Sequence, residues 1–285
     1  YEAPLAEISQ SEPEWSHSAK LTPRITVPLL AKSLGFGFKG TWILLAICAA
    51  VTYAAIIRVV ANATRDRLTG LLTGMGLAGL QSGNIFFSAS TGYFDGVAFM
   101  FLALSLSVRN TGAILPLTIL GGFTDERFIL ALPCVVLFRH YADHGRFPVY
   151  LAWLTASVIA FFGLRAVLAH VFNWNLTLGG IGLHTALSQI NVLPLVTFLS
   201  LESYWLLVLL SGLLFWRERA RFRLTLLAGS VALILASSFV VNDMTRSAAY
   251  VFPVVPFLVV HLSQHWTNQS ARRIFLAVAV FGLLI

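Results

Sequence analysis

From residue 40 onward, long apolar stretches alternate with short polar segments. A membrane-spanning helix needs about 20 mostly apolar residues. The pattern predicts spans over residues 41–60, 68–88, 94–108, 149–170, 192–216, 224–241 and 248–262. Another apolar run starts at Ile274 and continues to the last residue. We therefore expect an all-α fold, a polytopic bundle of transmembrane helices.

Residues 1–39 have a different composition, with scattered glutamates, four prolines and irregularly spaced apolar residues. This pattern predicts an extracytoplasmic segment that ends in a short interfacial helix over residues 26–34. Residues 40–285 then form the transmembrane helical domain. The chain starts at Tyr1 and stops within an apolar run, so we expect both ends to be truncated.

The region 113–139 contains Asp125, Glu126 and Arg127 between two apolar halves. A single span would place three ionisable groups in the middle of the bilayer, which is costly. A broken, re-entrant helical hairpin places them at a turn. It also collects twelve arginines on one face of the membrane, with Arg127 and Arg246 on the other, when the N-terminal segment and Arg165 are excluded. Because cytoplasmic loops are rich in arginine and lysine, this distribution favours the hairpin.

The composition limits the classes of protein that fit this pattern. Hydrophobic residues make up 58% of the chain and charged residues 11%, against about 25% charged in soluble domains. This excludes a soluble globular protein, a disordered tail and a nucleic-acid binder. The net charge of +7 then reflects the cytoplasmic loops. Cys48 and Cys134 both lie in apolar runs, so neither a disulfide framework nor a cysteine metal site is expected.

The polar residues on the non-cytoplasmic side are the candidates for chemistry, and the densest group is Asp125, Glu126 and Arg127. Two carboxylates and an arginine could supply a general base, hold a cation or bind an anionic head group. The alternative is structural: Thr124 or Asp125 caps the helix that begins near Arg127, and the acids favour its positive end.

Three further residues share that side. Arg246 is a candidate phosphate ligand because its guanidinium suits bidentate binding of an oxyanion. Alternatively, Asp243 and Arg246 form a local ion pair that closes a turn. Asp95, at the start of a predicted helix, is a candidate substrate ligand or simply an acid in the first helical turn.

Two more candidates lie elsewhere in the chain. Glu202 lies within the span 192–216 and is a candidate substrate ligand, or a structural partner of Arg165. His184 lies in a glycine-rich external loop, where it could accept a proton or bind substrate. The histidines show no metal-ligand spacing, so no metal site is predicted.

Several stretches together resemble the GT-C superfamily of integral-membrane glycosyltransferases. Residues 23–31 (PRITVPLLA) resemble the juxtamembrane stretch that follows the first external loop of those enzymes. Residues 93–96 (YFDG) resemble the start of a mid-chain helix that an acidic residue precedes. Residues 243–246 (DMTR) and 250–253 (YVFP) resemble a charged turn that leads into a proline-containing helix.

The resemblance implies a glycosyltransferase that moves a sugar from a polyprenyl-phosphate-linked donor to a glycan, lipid or protein acceptor. By analogy, Asp125 or Glu126 would be the catalytic base, and Arg127 and Arg246 would bind the donor phosphate. A divalent cation is possible. The expected location is a bacterial inner membrane with the active side extracytoplasmic. The family's signature acid belongs in the first external loop, where this chain has only isolated glutamates. That acid lies upstream of Tyr1, or Asp125 and Glu126 replace it.

Two other functions are also compatible with the sequence. A transporter or flippase of a lipid-linked or anionic substrate would use the broken hairpin as a binding element. It should show an internal sequence repeat, and the chain has no convincing one. A non-catalytic subunit of a membrane assembly predicts instead that Asp125, Glu126 and Arg246 all pair internally and that no cavity opens beside them.

Overall fold

The computed structural model of the chain describes residues 24–81, 83, 94–142, 146–173, 183–241 and 243–284, and omits the side chains of residues 38, 183–185 and 268. Every regular element in these ranges is helical, so the predicted all-α class is confirmed. The helices are α1 Thr26–Ser33, α2 Phe38–Thr64, α3 Arg67–Gly79, α4 Asp95–Ser107, α5 Ile114–Gly122, α6 Arg127–Ala142, α7 Phe147–Val171, α8 Leu183–Ser188, α9 Leu193–Leu201, α10 Trp205–Arg217, α11 Arg221–Phe239, α12 Met244–Ala248, α13 Val254–His265 and α14 Asn268–Leu284.

The chain is a membrane protein by the length and apolar character of its helices. Within the described ranges, five candidate spans are long and apolar enough to cross a bilayer: Lys39–Thr64, Phe147–Val171, Leu193–Arg217, Arg221–Phe239 and Met244–His265. The last of these spans lies in the middle of the bundle, and α13 is buried from Val254 to Leu262. Helices α2, α3, α6, α10 and α14 pack against α13, and the bundle presents apolar side chains outward.

The region 113–139 forms the predicted broken hairpin. A short turn of 3₁₀ helix and α5 run toward Asp125, and α6 returns from Arg127. Both arms pack on α4. At the far end of α6, the Arg139 guanidinium donates to the carbonyl oxygen of Ser105 at 3.1 Å, near the last residue of α4. Arg127 reaches Asp95, the first residue of α4, so α6 runs parallel to α4 and the turn lies beside the start of α4.

Residues 192–216, predicted as one helix, are divided at Glu202. Here α9 ends, the backbone takes a positive φ of 45°, and a 3₁₀ turn leads into α10. Residues from distant parts of the chain stabilise this break. The backbone amide of Gln81 donates to Glu202 Oε1 at 2.7 Å, and the Ser203 hydroxyl donates to the carbonyl oxygen of Val278 at 2.9 Å. The break depends on a carboxylate and a hydroxyl that bond to backbone groups far away in the chain. Hydropathy along the sequence does not predict such tertiary contacts.

The predicted boundaries differ at two other places. Helix α3 ends at Gly79, and most of the rest of the predicted span 68–88 lies outside the described residues. The predicted span 248–262 begins earlier, at Met244, and contains a 3₁₀ turn over Ala249–Val251. Helix α1 falls within the predicted range 26–34.

The cytoplasmic turns expected from the arginine distribution gather at one end of the bundle. Asp66, between α2 and α3, pairs with Arg272 in the first turns of α14, with Arg272 Nε 2.8 Å from the carboxylate. His265 at the end of α13 contacts Glu218 in the turn between α10 and α11, with Nε2 and Oε1 2.5 Å apart. These contacts join three turns, between α2 and α3, α10 and α11, and α13 and α14, at the end opposite Asp95 and Asp125.

Glycines permit close packing of α3 against α2. A Cβ on Gly70 would lie 2.6 Å from the carbonyl oxygen of Ile57 and 2.9 Å from the Cβ of Ala61. A Cβ on Gly74 would lie 2.6 Å from the Ile57 side chain. Glycines spaced four residues apart bring two helix backbones together in membranes, where dispersion contacts drive much of the association.

We expect Gly70→Ala to destabilise the protein by about 1–3 kcal/mol, because the new methyl group meets a backbone oxygen that has no rotamer to move. The free energy of unfolding in mixed detergent micelles measures this. Gly163→Ala in α7 is the matched control, since no atom lies within 4 Å of its added Cβ. Equal stability of the two variants would contradict the packing described for α2 and α3.

The ion pair at Asp66 predicts a pH dependence. The hydrogen bond from Arg272 lowers the pKa of Asp66 to about 2. A carboxyl whose pKa is lowered by folding contributes stability above its ordinary pKa, and this contribution is lost as the pH falls through the folded value. Asp66→Asn, which keeps a capping side chain for α3, should lower the melting temperature at pH 7 by about 1–3 °C. The difference should shrink below the ordinary pKa of 3.8 and vanish only when the pH is below about 2.

Candidate active site

Charged side chains from four parts of the chain meet at the end of the bundle opposite Asp66. Arg24 precedes α1, Asp95 begins α4, the hairpin turn contributes three residues, and two come from the start of α12. We call this group the charge cluster, and it comprises Arg24, Asp95, Asp125, Glu126, Arg127, Asp243 and Arg246.

Asp95 lies at the centre of the charge cluster, with 1% of its side chain exposed. Its Oδ1 accepts from Arg127 Nη2 at 2.8 Å and from the Tyr250 hydroxyl at 3.2 Å. Its Oδ2 accepts from Arg246 Nε at 2.7 Å. Both carboxylate oxygens therefore have partners, as a buried ionised group requires. The position in the first turn of α4 adds the favourable end of the helix dipole.

Arg127 is bonded along its whole guanidinium. Nε donates to Asp125 Oδ1 at 2.8 Å, Nη1 donates to the Ser247 hydroxyl at 2.8 Å, and Nη2 bonds Asp95 and Asp125. The guanidinium also lies over the Tyr250 ring, 5.1 Å from the centroid. A side chain with this many fixed partners holds the elements of the site together and has little capacity left for a ligand.

Asp125 both caps α6 and joins the charge cluster. Its Oδ1 accepts from the Arg127 backbone amide at 2.9 Å, which confirms the predicted capping. Its Oδ2 also lies 3.0 Å from Arg24 Nη1. Asp125 therefore caps α6 and takes part in the ion pairs of the charge cluster at the same time.

Glu126 and Asp243 form the exposed rim of the charge cluster, with 41% and 42% of their side chains exposed. Asp243 Oδ2 lies 2.6 Å from Arg246 Nη1, so the predicted local ion pair is confirmed. Glu126 Oε1 accepts from Arg24 Nη2 at 3.3 Å, and Oε2 accepts no hydrogen bond from the described residues. The three arginines face four carboxylates, which leaves one net negative charge when all are ionised.

Two glycines allow the hairpin turn to reach this position. A Cβ on Gly121 would overlap the Phe128 ring at 2.4 Å, and one on Gly122 would overlap the Phe161 ring of α7 at 2.6 Å. The Thr124 hydroxyl donates to the Leu120 carbonyl at 2.7 Å and closes the end of α5. The sequence from Gly121 to Thr124 thus brings Asp125 and Arg127 against α4.

The other predicted site residues lie apart from the charge cluster. Glu202 is buried at the break between α9 and α10, where Gln81 is its hydrogen-bond donor. The expected salt bridge with Arg165 does not form in the part of the chain that the structure describes, so that prediction is wrong. The side chain of His184 lies outside the described residues. Among the side chains described, no group of three or more His, Cys, Asp and Glu residues is placed to hold a metal ion.

Sequence reasoning missed Arg24, Ser247 and Tyr250. One available signal was the arginine distribution itself, because arginines on the non-cytoplasmic face are rare and each of them needs a local reason. Arg24 belongs, with Arg127 and Arg246, to the small set of arginines that the sequence predicts on the non-cytoplasmic side. Ser247 and Tyr250 lie one and four residues after Arg246, on the turn that carries it into the cluster.

Comparison with known proteins finds no related protein. No protein-family model, no curated protein and no solved structure matches the chain significantly. The resemblance to GT-C enzymes therefore stays a prediction that depends on the residues alone.

We expect Asp95→Asn to destabilise the protein by about 3 kcal/mol, because it removes the buried charge between two buried arginines. Asp243→Asn removes a half-exposed partner of the same arginine and should cost about 1 kcal/mol or less. Unfolding in mixed detergent micelles gives both values. If the two variants are equally stable, Asp95 is not the centre of the charge cluster.

Proposed function

We propose that this protein is a membrane glycosyltransferase that transfers a sugar from a polyprenyl-phosphate-linked donor to an acceptor outside the cytoplasm. The observation that carries the proposal is the charge cluster, in which buried arginines and carboxylates support two half-exposed carboxylates at one end of an apolar bundle. Buried charges are costly in a membrane protein, and an arrangement of seven ionisable groups is typical of a functional site.

Glu126 is the general base in this proposal. Asp125 is held by Arg24 and Arg127 at once, and its carboxylate is almost entirely buried. Among the described residues, Glu126 keeps one oxygen without a hydrogen bond, Oε2, which is buried although 41% of the side chain is exposed. The acceptor hydroxyl gives its proton to Glu126, its oxygen bonds the anomeric carbon, and the bond from that carbon to the phosphate oxygen breaks. The leaving polyprenyl phosphate takes the electron pair.

Arg246 is the arginine best placed to bind the leaving phosphate. Its Nη1 is paired with Asp243, and that carboxylate is the half-exposed partner in the pair. A phosphate oxygen can replace Asp243 there while Asp95 continues to hold Nε. A donor directed at charge that develops on the leaving oxygen stabilises the transition state more than the ground state. Arg127 and Asp95 position Arg246 and keep their own contacts.

The proposed location is a bacterial inner membrane with the charge cluster on the extracytoplasmic side. The support is the distribution of arginines, which collect at the opposite end near Asp66, Glu218 and His265. Polyprenyl-linked sugars are presented to such enzymes within the membrane, so a site at the end of a helical bundle suits a lipid donor.

A non-catalytic subunit of a membrane assembly is the second candidate. It predicts internal pairing of Asp125, Glu126 and Arg246, and all three are indeed paired within the chain. In that case the charge cluster only stabilises the fold, and no polyprenyl phosphate binds beside it.

The test is transfer of radiolabelled sugar by the purified protein in nanodiscs, with a panel of polyprenyl-phosphate-linked hexoses and with lipid and glycan acceptors. Glu126→Gln should lower the rate on the order of 10²- to 10⁴-fold, because the proton acceptor is lost. Its melting temperature should stay near that of the wild type.

Glu218→Gln is the matched control, a carboxylate of similar exposure at the opposite end of the bundle. It should transfer sugar at the normal rate. Normal turnover in the Asp125→Asn, Glu126→Gln double variant would end the mechanism. If the wild type neither transfers sugar nor binds polyprenyl phosphate, the non-catalytic subunit is the better explanation.

A further inference from the structure

Arg24 connects the N-terminal segment to the charge cluster. Its guanidinium bridges two adjacent carboxylates, with Nη1 3.0 Å from Asp125 Oδ2 and Nη2 3.3 Å from Glu126 Oε1. The side chain is 13% exposed although it precedes the first described helix. An arginine fork that reaches two carboxylates at once fixes their relative orientation, which a single ammonium group cannot do.

Helix α1 holds Arg24 in this position. The Thr26 backbone amide donates to the Phe123 carbonyl at 3.3 Å, and the Thr26 hydroxyl donates to the Leu120 carbonyl at 2.9 Å. Val27 is buried with Leu45, Cys48 and Val97, which belong to α2 and α4. The start of α1 is therefore attached to the end of α5, two residues before Asp125.

The two carboxylates depend on Arg24 unequally. Asp125 keeps Arg127 as a second partner and the α6 backbone amide as a third. Among the described residues, Glu126 has Arg24 as its ion-pair partner and no other. Removal of Arg24 would therefore release Glu126 while Asp125 stays in place.

Two buried polar atoms at this contact are without hydrogen bonds in the described structure. They are Arg24 Nε and Glu126 Oε2. A buried polar atom without a partner is unfavourable, and a bound hydroxyl or water would supply the missing hydrogen bonds. A hydroxyl group placed there could accept from Nε and donate to Oε2.

We propose that Arg24 is a positioning residue for Glu126 and binds the oxygen of the acceptor hydroxyl, so that Arg24 and the start of α1, which packs on the end of α5, complete the site. The inference rests on the proposed transfer reaction. Arg24 Nη2 holds Oε1 of Glu126, Oε2 takes the proton, and Nε orients the hydroxyl oxygen. Arg24 thus recognises the neutral hydroxyl group of the acceptor, whereas Arg246 binds the anionic phosphate of the donor.

The experiment compares Arg24→Ala, Arg24→Lys and the wild type in the sugar-transfer assay. We expect Arg24→Ala to lower kcat on the order of 10²-fold with the donor KM unchanged, because a small displacement of a catalytic group has this cost. Arg24→Lys should recover only part of kcat, since Lys cannot bridge both carboxylates. Added guanidine at millimolar concentration should partly restore Arg24→Ala and leave Arg24→Lys unchanged.

Lys32→Ala is the control, because it removes a cation of α1 that lies outside the charge cluster. It should leave kcat and KM unchanged. If Arg24→Ala does not fold, the comparison of Arg24→Lys with the wild type decides, and equal kcat values overturn the proposal. A loss seen only in the donor KM also overturns it, since Arg24 would then bind the donor phosphate. A wild type that transfers no sugar overturns the proposed function and this inference together.

Discussion

A carboxylate buried among helices must be neutralised where it lies, and Asp95 imposes this condition on one end of the protein. Two arginines from different regions satisfy it: Arg127 follows the hairpin turn, and Arg246 belongs to α12. Neither could leave without exposing an uncompensated charge to an apolar interior. The hairpin, α4 and α12 are therefore fixed relative to each other by electrostatics, in addition to the packing of their apolar faces.

The charge cluster is graded from its centre to its rim. Asp95, Asp125 and Arg127 are buried and have several partners each, while Glu126 and Asp243 are half-exposed and have one ion-pair partner each among the described residues. Groups with many fixed partners preorganise a site but cannot readily exchange a ligand. Groups with one partner can exchange it at a lower cost. The same division between supporting and reacting groups is what preorganised catalysis requires.

The sequence predicted much of this fold because hydropathy and arginine distribution are both local signals. They located the apolar helices, the hairpin at 113–139 and the turns that carry Asp125 and Asp243. They could not report that Glu202 breaks a helix, because the partners of Glu202 and Ser203 are Gln81 and Val278. The pairing of Asp95 with Arg127 and Arg246 was equally invisible, since it depends on which helix ends meet. The sequence assigns Arg24 only to an external segment, because its partners lie about a hundred residues away in the chain.

The order in which the charged residues are synthesised affects how the central span, Met244–His265, enters the membrane. Met244–His265 has the lowest mean hydropathy of the five candidate spans, at 1.4, yet it is the most enclosed by protein. It carries Arg246 near its start and two histidines near its end. During synthesis, Asp95 and Arg127 emerge well before Arg246, so the carboxylate that accepts this arginine already exists when it reaches the bilayer. The counter-ion of Arg246 therefore precedes it in the chain, which lowers the cost of placing this arginine in a segment of low mean hydropathy.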